Sequence, residues 1–112
     1  MSRWLALPVC LLATPALAAP VTPLQAVAQV VGNFPETAEG RPRLTVNLTA
    51  AAHGRLQATA IATGLADDAI SARRWNLTLR QGQRGWRVAA RQESWRCARG
   101  ENTQNWTTTR CP

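Results

Sequence analysis

Apolar and polar residues alternate along residues 72–91, and this alternation predicts a β-hairpin. The apolar members of the pattern are Trp75, Leu77, Leu79, Trp86, Val88 and Ala90. A period of two residues is typical of a strand that buries one face. Gly82 and Gly85 lie between the two halves, where they suit a reversal of the chain. We therefore expect two antiparallel strands whose indole and leucine side chains share one buried face.

The phase of this pattern also predicts the pairing of the two strands. Pairing Arg80 with Gly85 closes a four-residue loop and keeps the apolar side chains together. The remaining pairs in this register are Leu79 with Trp86, Leu77 with Val88, Trp75 with Ala90, Arg74 with Arg91 and Thr78 with Arg87. Beyond Ala90 the phase changes, and a β-bulge near Gln92 and Glu93 would return Trp95 to the buried side. In the alternative, Trp95 points outward and the C-terminal loop covers it.

One helix is predicted upstream of these strands. Thr22 is placed as its N-cap, Pro23 at its first position and Gln25 as the partner in a capping box. Gly32 and the asparagine after it end the helix. Its apolar stripe, at helical spacing, consists of Leu24, Val27, Ala28 and Val31.

Two further strands are predicted at residues 44–49 and 56–63, with a turn at 50–54. The second presents alternating alanines, whose small side chains permit close approach of the helix. The expected fold is α+β, with one N-terminal helix packed on a four-stranded antiparallel sheet. This layout resembles the cystatin-like and nuclear-transport-factor-like architectures, and such a likeness carries no function with it.

Residues 1–18 have the features of a cleaved Sec signal peptide. Arg3 supplies the positive start, an apolar stretch follows, and Ala16 and Ala18 form a small-residue cleavage site. The stretch is shorter than the roughly 20 residues that span a bilayer, so we expect no transmembrane segment after cleavage. Residues 19–112 then form one small domain with a net charge of +6, against +7 for the full chain. A chain rich in alanine whose Lys and Arg positions are all arginine indicates a Gram-negative bacterium. Together with the signal peptide, this predicts a periplasmic or secreted protein.

Two cysteines remain after cleavage, Cys97 and Cys111, and an even pair in a small exported domain predicts a disulfide. In the chain-entropy model such a bridge is worth about 3 kcal/mol. Two cysteines and the distant His53 do not complete a tetrahedral metal site. We expect neither a metal nor another cofactor.

The sequence assembles no recognisable catalytic group. His53 is the only histidine and lies in a predicted turn, while Ser71 and Ser94 have no nucleophile-elbow context. Asp67 and Asp68 are adjacent in a turn and would point apart. We therefore expect a protein that is not an enzyme, with a small hydrolase dependent on His53 as the alternative.

Arginines crowd into residues 73–99, and they are the candidates for binding an anion. The candidates are Arg74, Arg80, Arg87, Arg91, Arg96 and Arg99. Guanidinium groups recognise phosphate and carboxylate by paired hydrogen bonds. In an exported protein the available anions are lipopolysaccharide, phospholipid, peptidoglycan and acidic patches of envelope proteins, and nucleic acid is not expected. The alternative is a basic face that is merely solvated.

Four tryptophans lie after the leader. Trp75 and Trp86 belong to the core by their phase. Trp95 and Trp106 are open to a second role, as a stacking platform for sugars or bases. The usual fate of large aromatic side chains favours packing for both, with Trp106 covering an end of the core.

The C-terminal third, with Trp95-Arg96-Cys97-Ala98-Arg99-Gly100, then Trp106 and Cys111-Pro112, resembles small exported bacterial proteins of unknown function. These end in W-R-C-x-R-G, an aromatic residue and a closing C-P. Glu101 and Asn102 depart from the basic continuation of that pattern. The resemblance implies export and a disulfide, but no chemistry. A second functional hypothesis is an inhibitor or accessory factor of an envelope enzyme that acts through the Cys97–Cys111 loop.

Overall fold

The computed structural model describes residues 19–32 and 42–112 and shows one helix followed by four strands. The elements are α1 (Pro23–Val31), β1 (Arg43–Ala50), β2 (Arg55–Thr63), β3 (Ile70–Gly82) and β4 (Gly85–Cys97). The strands form one antiparallel sheet in the order β1-β2-β3-β4. The α+β prediction is confirmed at this level. The predicted leader at residues 1–18 lies outside the described residues.

The helix begins and ends at the predicted residues because its terminal backbone groups find partners there. The backbone N–H of Gln25 donates to Thr22 Oγ1 at 3.2 Å, and Thr22 N–H donates to Gln25 Oε1 at 3.0 Å. Pro23 occupies the first turn, where its missing donor is not needed. Gly32 takes a positive φ of 75° and donates to the Ala28 carbonyl at 2.9 Å. Such a φ favours glycine.

The core lies between α1 and one face of the sheet, which we call the helix face. Ala26 and Val27 of the helix are buried against the central strands. The buried sheet residues are Ala58, Ala60, Ala62, Trp75, Leu77 and Leu79. The alanines of β2 let the helix backbone come close to the sheet, as expected from their size. Leu77 and Leu79 are fully buried, and truncating either to alanine should cost about 2–5 kcal/mol.

The buried stripe of the helix differs from the predicted one. Ala26 and Val27 are buried, whereas Leu24 and Ala28 are exposed. The helix contacts β2, β3 and β4, so the side of it that faces these strands is covered. Its other side, towards β1, lines an open groove. Among residues 19–32 and 42–112, no helix is both long and apolar enough to cross a membrane.

The hairpin of β3 and β4 forms, but the predicted register is wrong by two residues. Gly82 pairs with Gly85, so the turn contains only Gln83 and Arg84. A shift of two residues leaves every side chain on its face, so the apolar pattern excludes a slip of one residue but not of two. Trp75 and the partly buried Trp86 still pack on the same side of the sheet, as predicted.

The chain before the helix fixes this turn. Val21 donates to the Arg84 carbonyl at 3.0 Å, and its own carbonyl accepts from Trp86 N–H at 2.9 Å. A Cβ on Gly85 would lie 2.3 Å from Val21 N and 2.5 Å from Val21 O. Gly85 also has a φ of 101°. The absence of a side chain at this position therefore permits both the turn and the contact with the N-terminal segment.

Strand β4 contains the predicted bulge, but at a different place. Leu79 pairs with Val88 and Thr78 pairs with Ala90, so Ala89 is the extra residue. The position proposed near Gln92 and Glu93 is wrong. Because the bulge comes earlier, the residues that follow Ala89 exchange faces sooner than expected.

This earlier exchange moves several side chains. Arg91 pairs with Leu77 and therefore lies on the helix face. Trp95 pairs with Arg73 on the same face, and its indole N–H donates to the Thr109 carbonyl at 2.9 Å. Both alternatives for Trp95 thus hold in part, since it is on the helix face and the C-terminal loop contacts it.

Candidate anion-binding site

The face of the sheet opposite the helix, which we call the outer face, carries the polar half of the alternating pattern. On β3 and β4 its residues are Arg74, Asn76, Thr78, Arg80, Arg87, Ala90, Gln92, Ser94 and Arg96. Burial of the apolar residues against α1 places the β3 side chains and Arg87 outside by strand alternation. The bulge at Ala89 then brings Ala90, Gln92, Ser94 and Arg96 to the same face. The outer face is therefore basic because the helix face is apolar.

The C-terminal segment folds back along the outer edge of β4. Trp95 and Thr107 pair as an antiparallel bridge, with N–H to O distances of 2.9 Å and 2.8 Å. The Sγ atoms of Cys97 and Cys111 are at bonding distance, with 5.4 Å between the Cα atoms, which confirms the predicted disulfide. Residues that pair across two strands lie on the same face of the sheet, and successive residues along a strand lie on opposite faces. Thr107 therefore lies on the side of Trp95, and Trp106 lies on the outer face.

Trp106 lies against two arginines there. The Cζ atom of Arg74 is 4.7 Å from the indole centroid, and that of Arg96 is 4.3 Å from it. Both distances are within the range of cation–π contacts. We call these three residues the arginine–tryptophan cluster. The disulfide and the Trp95–Thr107 bridge position its indole, while strands β3 and β4 position its guanidinium groups.

The cluster has more hydrogen-bond donors than acceptors. Arg74 Nε donates to Ser94 Oγ at 3.1 Å, and Ser94 is buried. The Nε of Arg96 is buried and has no hydrogen-bond partner among the described residues. A buried donor without an acceptor costs about 1–3 kcal/mol. The cluster thus holds two positive charges close together, with few oxygens to receive their hydrogen bonds.

A hollow of about 340 Å³ opens beside the cluster. Its lining consists of Arg74, Gln92, Ser94, Trp106, Thr107 and Thr108. Of the side-chain carboxylates within residues 42–112, none belongs to this lining. Guanidinium, amide and hydroxyl groups around one hollow can together donate several hydrogen bonds to an anion.

A second positive group lies on the same face near the hairpin turn. Arg80 pairs with Arg87 across the hairpin and with Arg55 on its other side. Arg80 is six residues from Arg74 along β3, or about 20 Å at 3.3 Å per residue. The two groups are therefore separate. The predicted facing of Arg87 to Thr78 and of Arg74 to Arg91 is wrong because of the register.

The two remaining predicted candidates belong to neither group. Arg91 lies on the helix face, with its Nη2 3.7 Å from Glu93 Oε2. Glu93 also binds Arg73 at 2.8 Å, so this carboxylate is shared by two guanidinium groups. Arg99 lies in the disulfide loop, and its Nε donates to the Pro112 carbonyl at 3.3 Å.

Trp106 does not cover an end of the core, contrary to the sequence-based expectation. It packs on arginines at the opposite face of the sheet. The signal that could have indicated this is the spacing of Cys97 and Cys111, which turns the tail back along β4. The side of the sheet on which Trp106 would lie still depended on the position of the bulge.

The residues considered for catalysis are not brought together. The Ser71 hydroxyl is within hydrogen-bonding distance of the Arg96 and Cys97 carbonyls, and His53 lies exposed in the Ala52–Gly54 turn. Asp67 accepts hydrogen bonds from Ala69 and Ile70 N–H, which lower the pKa of its carboxyl group. Within the described parts of the chain, no group of His, Cys, Asp and Glu could hold a metal ion.

Comparisons with protein-family models, with curated proteins and with solved structures find no match to this chain.

Proposed function

We propose that this protein is a small, non-enzymatic periplasmic or secreted binding module. It binds an anionic component of the bacterial envelope through the arginine–tryptophan cluster. The observation that supports this most is the pairing of Arg74 and Arg96 on one indole, beside a hollow lined without a carboxylate. The ligand group is a phosphate or carboxylate, as found in lipopolysaccharide, phospholipid and peptidoglycan.

Packing of the guanidinium groups on Trp106 favours binding because it limits their motion before the ligand arrives. A long side chain that is ordered only on binding loses about 0.5–1.5 kcal/mol of the interaction. The indole face also stabilises positive charge by about 0.5–2 kcal/mol, so the two cations can stay close together without a carboxylate. An oxyanion in the hollow would replace water at the Arg74 guanidinium, which lines it, and would lie near the positive charge of Arg96, which packs on the same indole.

The disulfide supports the proposed compartment. Disulfides persist in oxidising compartments such as the periplasm and are rare in the cytosol. The leader predicted at residues 1–18 points to the same address. Together they make envelope anions the accessible ligands.

Binding to vesicles of stated composition tests the proposal. The exported protein should bind vesicles that contain phosphatidylglycerol or lipopolysaccharide, but not pure phosphatidylcholine, and added salt should weaken binding. Arg74→Gln combined with Arg96→Gln should reduce affinity at least about tenfold, since each hydrogen bond to a charged group is worth about 1.5–3 kcal/mol. Inorganic phosphate and acetate as competitors distinguish the two anion classes.

The matched control is Arg80→Gln combined with Arg87→Gln, which removes the same charge from the same face. This variant should lose less than about threefold, as expected for exposed charges that act only at a distance. Equal losses in the two double variants would mean that the face acts as diffuse charge. Absence of binding to every anionic surface at low salt would overturn the proposal.

A second candidate function is inhibition or assistance of an envelope enzyme through the Cys97–Cys111 loop. The loop is fixed at both ends by the disulfide and by Trp95–Thr107 pairing, while Arg99, Glu101 and Gln104 on it are exposed. A fixed, exposed loop can enter a cleft with little loss of entropy. A stoichiometric effect on lysozyme or a periplasmic protease, lost on Cys97→Ser, would favour this function.

A further inference from the structure

Strand β1 could pair along its outer edge with a strand of another chain. It lies at the end of the sheet, and among the described residues no strand pairs with its outer side. Ala51 N–H donates inward to the Arg55 carbonyl, so the backbone groups of Leu44, Val46 and Leu48 point outward by alternation. The ladder between β1 and β2 runs without a bulge from Arg43 to Ala50.

The surface beside this edge is apolar. Of the large apolar side chains in the described residues, Leu24 and Leu48 are exposed, at 58% and 40%. Leu24 lines a groove of about 240 Å³ between α1 and β1, and Leu48 lies on the same face of β1. The groove is completed by Val27, Ala28, Val31, Gly32, Leu44 and Val46. Exposed apolar surface next to an open strand edge is typical of an interaction site.

The order of apolar and polar residues in β1 is the same when it is followed in either direction from Val46. Residues 44–48 read Leu-Thr-Val-Asn-Leu, with apolar side chains on the helix face and polar ones on the outer face. Two copies related by a two-fold axis at Val46 would pair Leu44 with Leu48 and Thr45 with Asn47. This is the condition for an isologous antiparallel pair, in which both copies use the same surface.

The distribution of charge favours a second copy at this edge. The chain is strongly basic, so two copies repel wherever arginines meet. Strand β1 has no charged residue from Leu44 to Ala50. The arginines of the sheet are concentrated on β3 and β4, whereas β1 and β2 each carry one, Arg43 and Arg55, at their first residue. The edge of β1 is therefore where two copies can meet with the least repulsion.

We propose that β1 pairs with β1 of a second copy of this chain to form a continuous eight-stranded sheet in a two-fold symmetric dimer. Leu24 and Leu48 of the two copies then become covered around the axis. The outer faces of both copies continue into one surface, which carries two arginine–tryptophan clusters. This inference is independent of what those clusters bind.

Two double variants that differ at a single residue test the pairing. With Thr45→Lys and Asn47→Lys, like charges face each other twice across the two-fold axis. With Thr45→Glu and Asn47→Lys, the same positions form two opposite-charge pairs. We expect the first variant to raise the dimer dissociation constant about five- to tenfold and the second to restore it to within about threefold of the unmodified protein.

Sedimentation equilibrium of protein produced from the full sequence measures the dissociation constant. Gln83→Lys with Gln104→Lys adds the same charge as the lysine pair, but away from β1. This control should change the dissociation constant less than Thr45→Lys with Asn47→Lys does. Near-ultraviolet circular dichroism of the tryptophans checks that each variant is folded. A protein that is monomeric up to its solubility limit, or a dimer equally weakened by both charge arrangements, would overturn the proposal.

Discussion

Gly85→Ala tests how the N-terminal segment and the hairpin turn depend on one another. The new Cβ would lie 2.3 Å from Val21 N and 2.5 Å from Val21 O, both of them backbone atoms. Real Cβ atoms do not approach backbone so closely, so Val21 must move away from the turn. The φ of 101° at this position adds strain, because residues with a side chain rarely adopt it.

The size of the effect follows from what is lost. Displacing Val21 breaks its hydrogen bonds to Arg84 and Trp86, which are 3.0 Å and 2.9 Å long. Each is worth about 1 kcal/mol. The left-handed backbone conformation of an alanine costs about 1–2 kcal/mol more. We therefore expect the free energy of unfolding to fall by about 3 kcal/mol, or Tm by more than about 10 °C.

Urea unfolding followed by tryptophan fluorescence measures this loss. Gly82→Ala is the matched control, because its Cβ would meet nothing closer than 3.5 Å. That variant should stay within about 1 kcal/mol of the unmodified protein. Hydrogen exchange at the Trp86 amide should accelerate in Gly85→Ala alone. Equal stabilities of the two variants would refute the claim that Val21 is bound to the turn.

Three further predictions concern other parts of the fold. Replacing Cys97 and Cys111 by serine should lower the free energy of unfolding by about 3 kcal/mol, and an unchanged urea midpoint would contradict this. The pKa of the Asp67 carboxyl group is lowered, mainly by the backbone N–H of Ala69. The charged carboxylate therefore stabilises the fold at pH values above the ordinary pKa of aspartate, and this contribution disappears as the pH falls through the lowered pKa. Asp67→Asn should therefore flatten the decline of Tm in acid. A decline identical to that of the unmodified protein would contradict the role of the Asp67 hydrogen bonds to Ala69 and Ile70. Ala60→Leu should destabilise the fold by about 1–3 kcal/mol because Ala60 is fully buried beneath the helix, whereas a neutral result in thermal unfolding would mean that the helix does not pack closely there.

The hydrophobic pattern predicts most of this fold because each element carries its own local signal. Thr22, Pro23 and Gln25 fix the helix start through contacts within a few residues. The alternation around Leu77 identifies the buried face of β3. Pairing register carries a weaker signal, since shifts of two residues preserve the faces. The register depends on Gly85 and Val21, which lie far apart in the sequence and meet only in the folded chain.

The candidate site could be predicted only in part for the same reason. The basic character of residues 73–99 is visible in the composition, and Arg74 and Arg96 were both candidates. The bulge at Ala89 decides that Arg91 lies on the helix face, and alanine repeats such as Ala89-Ala90 give no sign of where a bulge occurs. The role of Trp106 depends on a non-local bridge between Trp95 and Thr107.

Titration of the isotopically labelled protein with inorganic phosphate, followed by nuclear magnetic resonance of arginine Nε–H and tryptophan indole N–H groups, tests the central claim most directly. We expect the signals of Arg74, Arg96 and Trp106 to shift together with one dissociation constant, while those of Arg80 and Arg87 shift little. Equal shifts at all exposed arginines, or shifts confined to Arg73 and Arg91 on the helix face, would contradict an anion site at the arginine–tryptophan cluster.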